Sequence, residues 1–507
     1  MTCVKTLPSD PQPAEPGSPA LTLAPFRGVR YAPDRVSGLA DVTSPPYDVI
    51  GRQTVERLLA SDPYNVVRLI LPGAAGGTQA AARALREWLA SGVLVRDPVP
   101  ALYVYEQRVP AAADSGDGTM AGNGTVAGTG APAPSAPVIQ RGLIGALRLV
   151  PPSARRVLPH EDVMPGPVRG RRELMEATQA NLEPIFVLYD SRAEGPEAGA
   201  PGTPGTPEAP GSAVRAGAAP AGARAAVRAA TATQLVAEVA ATREPLLDAT
   251  TDDGVVHRLW AVTDPAEHAM VAADLAPRRA LIADGHHRYA AYLDMQARRH
   301  AAGSGPGPWD YGLAFLVDQA AYPPRIGAIH RVVPRLSPAQ AAGLAKSAFS
   351  VQAIGGGLGG ALRALGGAGR GGPAFLLTGG AADGGLAGGG EHYLLTEPDP
   401  GALAAAMPSG RSPHWRGLAP AVLSELLIGR VWRLRDSEPD VLVVHGDPAA
   451  AVRAAAEAGG TAVICNPATA EDVHAVAANG ERVPRKSTSF GPKPRTGLVI
   501  RTLEPGS

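Results

Sequence analysis

Apolar positions repeat along this chain with two different periods. In residues 79–90, Ala81, Ala84, Leu85, Trp88 and Leu89 follow the i, i+3, i+4, i+7, i+8 spacing of one helical face, which makes Trp88 a core residue. Residues 171–180 read as a second helix. Residues 101–109 and 184–189 are short and rich in β-branched and aromatic side chains, as strands are. Residues 279–283 predict a short buried strand, Asp284-Gly285 a tight turn, and residues 286–300 a helix with Ala290, Leu293 and Ala297 on one face. Residues 373–378 and 393–395 read as two strands of a hairpin joined by a glycine-rich excursion. Strands that alternate with helices predict a mixed α/β (α+β) architecture of two or three lobes.

Three stretches interrupt this pattern: 111–137, 191–223 and 355–390, all rich in Gly, Ala, Pro or Ser. Such sequence buries too little apolar surface to offset the entropy of ordering it, so these stretches read as insertions. They suggest an N-terminal α/β domain over 21–190, a linker over 191–223, a central domain over 224–335 and a C-terminal α/β region over 336–505.

Composition narrows the function classes. Lys+Arg and Asp+Glu both total 47, and Arg171-Arg172 is too small a basic patch to hold a nucleic acid, so none is expected as a partner. Cys3 and Cys465 lie at opposite ends of the chain, without the spacing of a zinc site or a disulfide framework. The N-terminus lacks a basic stretch followed by an apolar run, and no run of about 18 apolar residues occurs. A cytoplasmic protein without a membrane span is the expectation.

Chemistry concentrates in Ala283-Asp284-Gly285-His286-His287-Arg288. A strand-to-helix junction offers free amides and the positive end of a helix dipole, and Arg288 adds a planar fork for two phosphate oxygens. Asp284 is placed to cap the helix, bind a metal or take a proton, whereas adjacent His286 and His287 diverge by about 100° and suit one shared ion poorly. Four further clusters accompany it. His160-Glu161 offers a base beside a carboxylate, and Tyr47-Asp48 follows two stiffening prolines. Lys486, Ser487, Thr488 and Lys493 lie in a basic stretch near the C-terminus, and His330-Arg331 follows a strand-like run. Residues 480–487 approach a Walker A loop, but Arg485 stands where glycine is required and Pro484 removes an amide, so a P-loop is rejected.

In that order, Pro25-Phe26-Arg27, Ser44-Pro45-Pro46-Tyr47-Asp48, Pro159-His160-Glu161, Asp284-Gly285-His286-His287-Arg288-Tyr289, His330-Arg331 and Lys486-Ser487-Thr488 through Pro492-Lys493 resemble the bacterial family catalogued as domain of unknown function 1015. That resemblance spans nearly the whole chain. The segment around 279–300 is also similar to the phosphate-binding strand–turn–helix unit of the ParB-like superfamily, which includes nucleotide-hydrolysing partition proteins and free serine kinases.

The resemblance implies a phosphotransferase of the free-serine-kinase type, moving a nucleotide phosphate to a small hydroxyl substrate such as L-serine. ATP or ADP with Mg²⁺ are the implied cofactors. In that reading Asp284 and Gly285 organise the phosphates and the metal, and Arg288 neutralises transferred charge. Glu161 or His160, then His286 or His287, orient the acceptor, while Lys486, Ser487, Thr488 and Lys493 bind phosphate or carboxylate. A metal-dependent hydrolase or phosphatase using His160, Glu161, Asp284 and one of the paired histidines is the alternative within the same class. A regulatory module that binds a nucleotide without turning it over is the alternative outside it.

Overall fold

The computed structural model describes residues 19–74, 76–109, 137–192, 231–379 and 391–504. The first two expected insertions therefore lie almost entirely outside the described residues.

Two sheets organise the chain. The larger has nine strands in the order Val157–Pro159, Ala280–Asp284, Ile185–Tyr189, Tyr311–Asp318, Val138–Arg148, Leu102–Arg108, Val256–Val262, Leu247–Thr250, with Leu23–Ala24 paired to Val138–Arg148. It draws on both sides of the 191–223 segment, so the N-terminal and central parts of the sequence share one sheet. Because side chains alternate across a strand, the inner strands of this sheet feed two cores. Leu102, Val104, Ile185, Val187 and Ile282 enter one. Tyr103, Tyr105, Phe186, Leu188 and Leu281 enter the other. Burial on both faces explains why these strands read as near-continuous apolar runs.

The smaller sheet runs Ser350–Ile354, His392–Thr396, Phe375–Thr378, Thr461–Cys465, Ile329–Val333, Leu442–His445. The expected hairpin is present, with Phe375 opposite Leu395 and Thr378 opposite His392. The third expected insertion is partly core, however. Leu358–Ala368 forms a helix that buries Ala361 and Leu365 against a cluster containing Leu376 and Ile464. Leu358, Ala361, Leu362 and Leu365 keep helical spacing among the glycines, and four apolar side chains on one face outweigh glycine's low propensity.

Thr78–Ala90 is helical as expected and buries Ala81, Leu85 and Trp88. The helix at His286–Ala301 buries a different face from the expected one. Tyr289, Ala291, Tyr292 and Met295 pack inward, while Ala297 is exposed. Two tyrosines and a methionine bury more apolar area than alanines, so they set the rotation of the helix. No described helix is long and apolar enough to cross a membrane. After Cys465 the chain returns to the larger sheet's side, where Arg501–Thr502 pairs with Ala180–Asn181.

Candidate functional site

The register of three strands builds the site. Ala280–Asp284 lies parallel to Val157–Pro159, with Ile282 beside Pro159, so both chains leave the sheet at the same edge. His160 and the Asp284-Gly285 turn thereby become neighbours. On its other side the strand is antiparallel to Ile185–Tyr189, with an irregularity between Ile282 and Asp284 that re-aims the aspartate.

Gly285, at φ 92°, is the N-cap of the following helix, and no side chain caps it. A Cβ there would lie 3.0 Å from Ile185 and 3.1 Å from the Arg288 guanidinium, so both the left-handed backbone and the space call for glycine. Asp284 does not take the expected capping role. One carboxylate oxygen accepts from Arg288 Nη2 at 2.6 Å and the other meets Lys493 Nζ at 2.5 Å. Arg288 is buried, and its second amino group donates to the Pro184 carbonyl at 2.5 Å. The arginine is therefore a brace between strand and helix rather than an open fork. Burial disfavours its charge, but Glu183, Asp284 and Asp48 more than offset this and raise its pKa.

Three imidazoles meet at the junction. The His160 amide donates to His286 Nε2 at 3.3 Å, and the two rings stand edge to face at 4.4 Å. His160 Nδ1 lies 2.7 Å from the Ile282 carbonyl, which only accepts, so the ring proton is assigned to Nδ1 and Nε2 keeps a lone pair toward the Thr488 hydroxyl at 2.9 Å. His287 Nε2 accepts from the Met164 amide at 3.1 Å. Burial holds the His160 pKa down at about 3 and pulls His286 and His287 below the ordinary value as well. All three rings are neutral at pH 7.

Glu161 behaves oppositely. Burial raises its carboxyl; Lys486 counters this, Asp284 adds to it, and the balance lies at about 7. Its Oε1 is 3.3 Å from Thr488 Oγ1.

The C-terminal stretch closes the site by docking on the edge of Val157–Pro159. The Val483 amide donates to the His160 carbonyl at 2.8 Å, Arg482 donates to the Pro159 carbonyl at 2.7 Å, and Ser489–Gly491 pairs with Arg325–Gly327. Lys486 is held at φ 54°, a strained backbone for a lysine, with its carbonyl accepting from Arg331 at 3.1 Å. Lys493 bridges Asp284 and Asp48, the latter at 2.9 Å, and both carboxylates keep its charge despite burial. The Tyr47 amide is fixed by Glu183, and the Tyr47 ring lies 4.0 Å beneath the Arg171 guanidinium.

The result is one cleft of about 260 Å³. Tyr47, Asp48, His160 and Glu161 line it together with the 284–288 turn, Lys486, Thr488 and Lys493. Four clusters far apart in sequence thus converge on one volume. Both His286 and His287 border it. Lys493 is occupied by two carboxylates, whereas Lys486 makes no salt bridge among the described residues. The Arg485 side chain meets the Met164 sulfur at 2.9 Å and makes no salt bridge among the described residues.

Three expected residues lie elsewhere. Ser487 is buried, donates to the Pro484 carbonyl and borders a separate small cavity with Arg331 and Cys465. His330 is buried and accepts from the Cys465 amide. Arg331 is fully buried against Asp436, at 2.7 Å and 3.1 Å, and also donates to the Arg485 and Lys486 carbonyls. It reaches the cleft only by holding that loop. As for a metal at Asp284, both of its oxygens are taken by cations, and among the described residues no three His, Cys, Asp or Glu side chains are grouped to hold an ion.

Sequence reasoning passed over His445, Arg485 and Met164, which line the cleft, and Glu183, which anchors Tyr47. His445 ends a strand of the smaller sheet, and only that sheet's pairing with Ile329 brings it here. Its one sequence signal is a histidine at the end of a strand-like run.

A family model described as a protein of unknown function (DUF1015) matches residues 23–127, 133–199 and 225–409. The chain belongs to this family. The DUF1015 match takes in the Tyr47-Asp48, His160-Glu161, Asp284–Arg288 and His330-Arg331 clusters and stops short of Lys486. No curated protein matches the chain. Solved structures similar to this DUF1015 chain include a free serine kinase in complex with AMP, at 12% identity and TM-score 0.31, covering 66% of this chain and 84% of that one. A conserved hypothetical protein from Pyrococcus furiosus has 12% identity and TM-score 0.29, covering 66% and 87%. SbnI with a C-terminal truncation, from Staphylococcus aureus, has 11% identity and TM-score 0.29, covering 68% and 82%.

Proposed function

We propose that this protein is a phosphotransferase of the free-serine-kinase type, moving a phosphate from ATP or ADP to a small hydroxyl substrate such as L-serine. The observation that carries this reading is the cleft itself, where Lys486 and Arg485, which make no salt bridge among the described residues, share one volume with a helix start and with Glu161. Free amides at that helix start and two cations that make no salt bridge among the described residues favour an anion of phosphate's charge.

Glu161 supplies the second half of the chemistry. A carboxyl at about 7 is half ionised near neutrality, which suits a base taking the proton of an attacking hydroxyl. Lys493, pinned by Asp284 and Asp48, borders the same cleft, where it can meet a substrate carboxylate or a second phosphate. Asp284 then acts through Lys493 and Arg288, and it is not arranged as a metal ligand. Mg²⁺ would arrive on the nucleotide's own phosphates, neutralising their charge, and no protein step is assigned to it.

The test is incubation of the full chain with L-serine, Mg²⁺ and either ATP or ADP, reading phosphoserine by mass spectrometry beside Glu161→Gln. Wild-type product with loss in the variant supports the reading. Equal yields, or none from the wild type, overturn it. Nucleotide binding without any product favours a regulatory module, and release of inorganic phosphate from phosphoserine favours a phosphatase.

A further inference from the structure

We propose that Thr488 is itself a phosphoryl acceptor, a hydroxyl in the cleft that the protein phosphorylates in place of a free substrate. The inference rests on the phosphotransferase reading to the extent that it needs the same bound nucleotide.

The surroundings of Thr488 differ from those of a structural hydroxyl. Ser487, one residue earlier, is buried and donates to a backbone carbonyl, an arrangement that consumes its only proton. Thr488 Oγ1 instead faces the cleft between an imidazole nitrogen at 2.9 Å and a carboxylate oxygen at 3.3 Å. The imidazole is oriented by its Nδ1 proton on the Ile282 carbonyl at 2.7 Å, which leaves Nε2 able only to accept. A hydroxyl held between an imidazole nitrogen and a carboxylate, both able to accept its one proton, has the surroundings of an activated nucleophile. Lys486, two residues away and without an ion pair among the described residues, borders the same volume. A nucleotide phosphate drawn to it would lie near Thr488.

The step balances with a nucleoside triphosphate as co-reactant. Oγ1 attacks the terminal phosphorus, an O–P bond forms, and the bond to the bridging oxygen breaks, its electron pair leaving on the nucleoside diphosphate. The hydroxyl proton passes to Glu161, which becomes a neutral carboxylic acid. His160 positions the oxygen but is the weaker base, because burial draws it down to about 3 while Glu161 stands at about 7. Glu161 is therefore shared: the same carboxylate serves a free hydroxyl substrate or Thr488, and the two acceptors compete for one place.

The full chain is incubated with γ-labelled ATP and Mg²⁺ without any acceptor, then mapped for phosphopeptides, while a parallel sample with L-serine is read for phosphoserine. Label on Thr488 is expected, moving to the new serine in Thr488→Ser, absent from Thr488→Val and slowed by roughly 10²-fold or more in Glu161→Gln. Phosphoserine formed from free serine with Thr488 unlabelled overturns this inference and leaves the proposed function standing. Label on Thr488 with no phosphoserine does the reverse. Absence of both removes both. Should Thr488→Val not fold, Thr488→Ser decides alone, because phosphate found at any other position refutes the assignment.

Discussion

Replacing Glu161 with glutamine is expected to strengthen the fold while removing the chemistry, and the gain depends on pH in a direction fixed by the structure. The carboxyl moves from an ordinary 4.5 to about 7 in the folded chain, raised by burial first and by Asp284, with Lys486 opposing. The folded state therefore holds this proton more tightly than the unfolded one. Stability from that preference is complete below 4.5, declines between 4.5 and about 7, and is gone above about 7. Glutamine keeps the neutral shape at every pH. Relative to wild type, Glu161→Gln thus gains across that window, by at most about 3 kcal/mol at about 1.4 kcal/mol per pH unit. Water in the open cleft brings the expectation to roughly 1–3 kcal/mol. Urea unfolding of both proteins near pH 5 and near pH 8 reads the difference of differences, in which other titrating groups cancel. An identical stability difference at the two pH values would refute the reasoning. Activity runs the other way: wild-type turnover rises with pH through about 7 as Glu161 ionises, and the variant loses roughly 10²–10⁴-fold.

Arg331→Met leaves Asp436, among the described residues, with the Ser424 hydroxyl alone and removes the donor to two loop carbonyls, so it is expected to cost about 3 kcal/mol and to speed amide exchange over residues 485–488; unchanged exchange would show that the arginine does not hold this loop. Lys486→Ala is expected to change stability by less than about 0.5 kcal/mol, because the side chain is exposed and makes no salt bridge among the described residues, yet to weaken nucleotide binding roughly tenfold. Calorimetry at two salt concentrations checks this, and undiminished affinity would remove Lys486 from the site. Asp284→Asn takes one carboxylate from both Arg288 and Lys493, and a loss of roughly 2–4 kcal/mol in urea unfolding is expected; an unaltered midpoint would mean that Asp48, Glu183 and Pro184 suffice.

Local pattern alone determined a good deal. Helical spacing placed Trp88 in a core, short runs rich in β-branched and aromatic side chains marked the strands 102–108 and 185–189, and the Asp284-Gly285 dipeptide announced a turn between strand and helix. These are legible because their cause is short-range: a period of burial, or a backbone angle that only glycine adopts freely. The residue types of the cleft were legible for the same reason, since His160-Glu161, Asp284–Arg288 and Lys486–Lys493 are each compact in sequence.

What each of those side chains does was decided by partners far along the chain. Arg288 reads as an open phosphate fork until Pro184, 104 residues away, takes one of its amino groups. Asp284 reads as a helix cap until Lys493 arrives from the C-terminal stretch. Ser487 and Thr488 are chemically alike neighbours, and only the docking of their loop on the edge strand turns one inward and presents the other to His160. The raised Glu161 carboxyl likewise comes from burial and from the charge of Asp284, with Lys486 and Lys493 opposing. Sequence can supply ionisable groups and the turns that carry them, but desolvation and Coulomb energy depend on distance in space, and sheet register sets those distances only once the chain has folded.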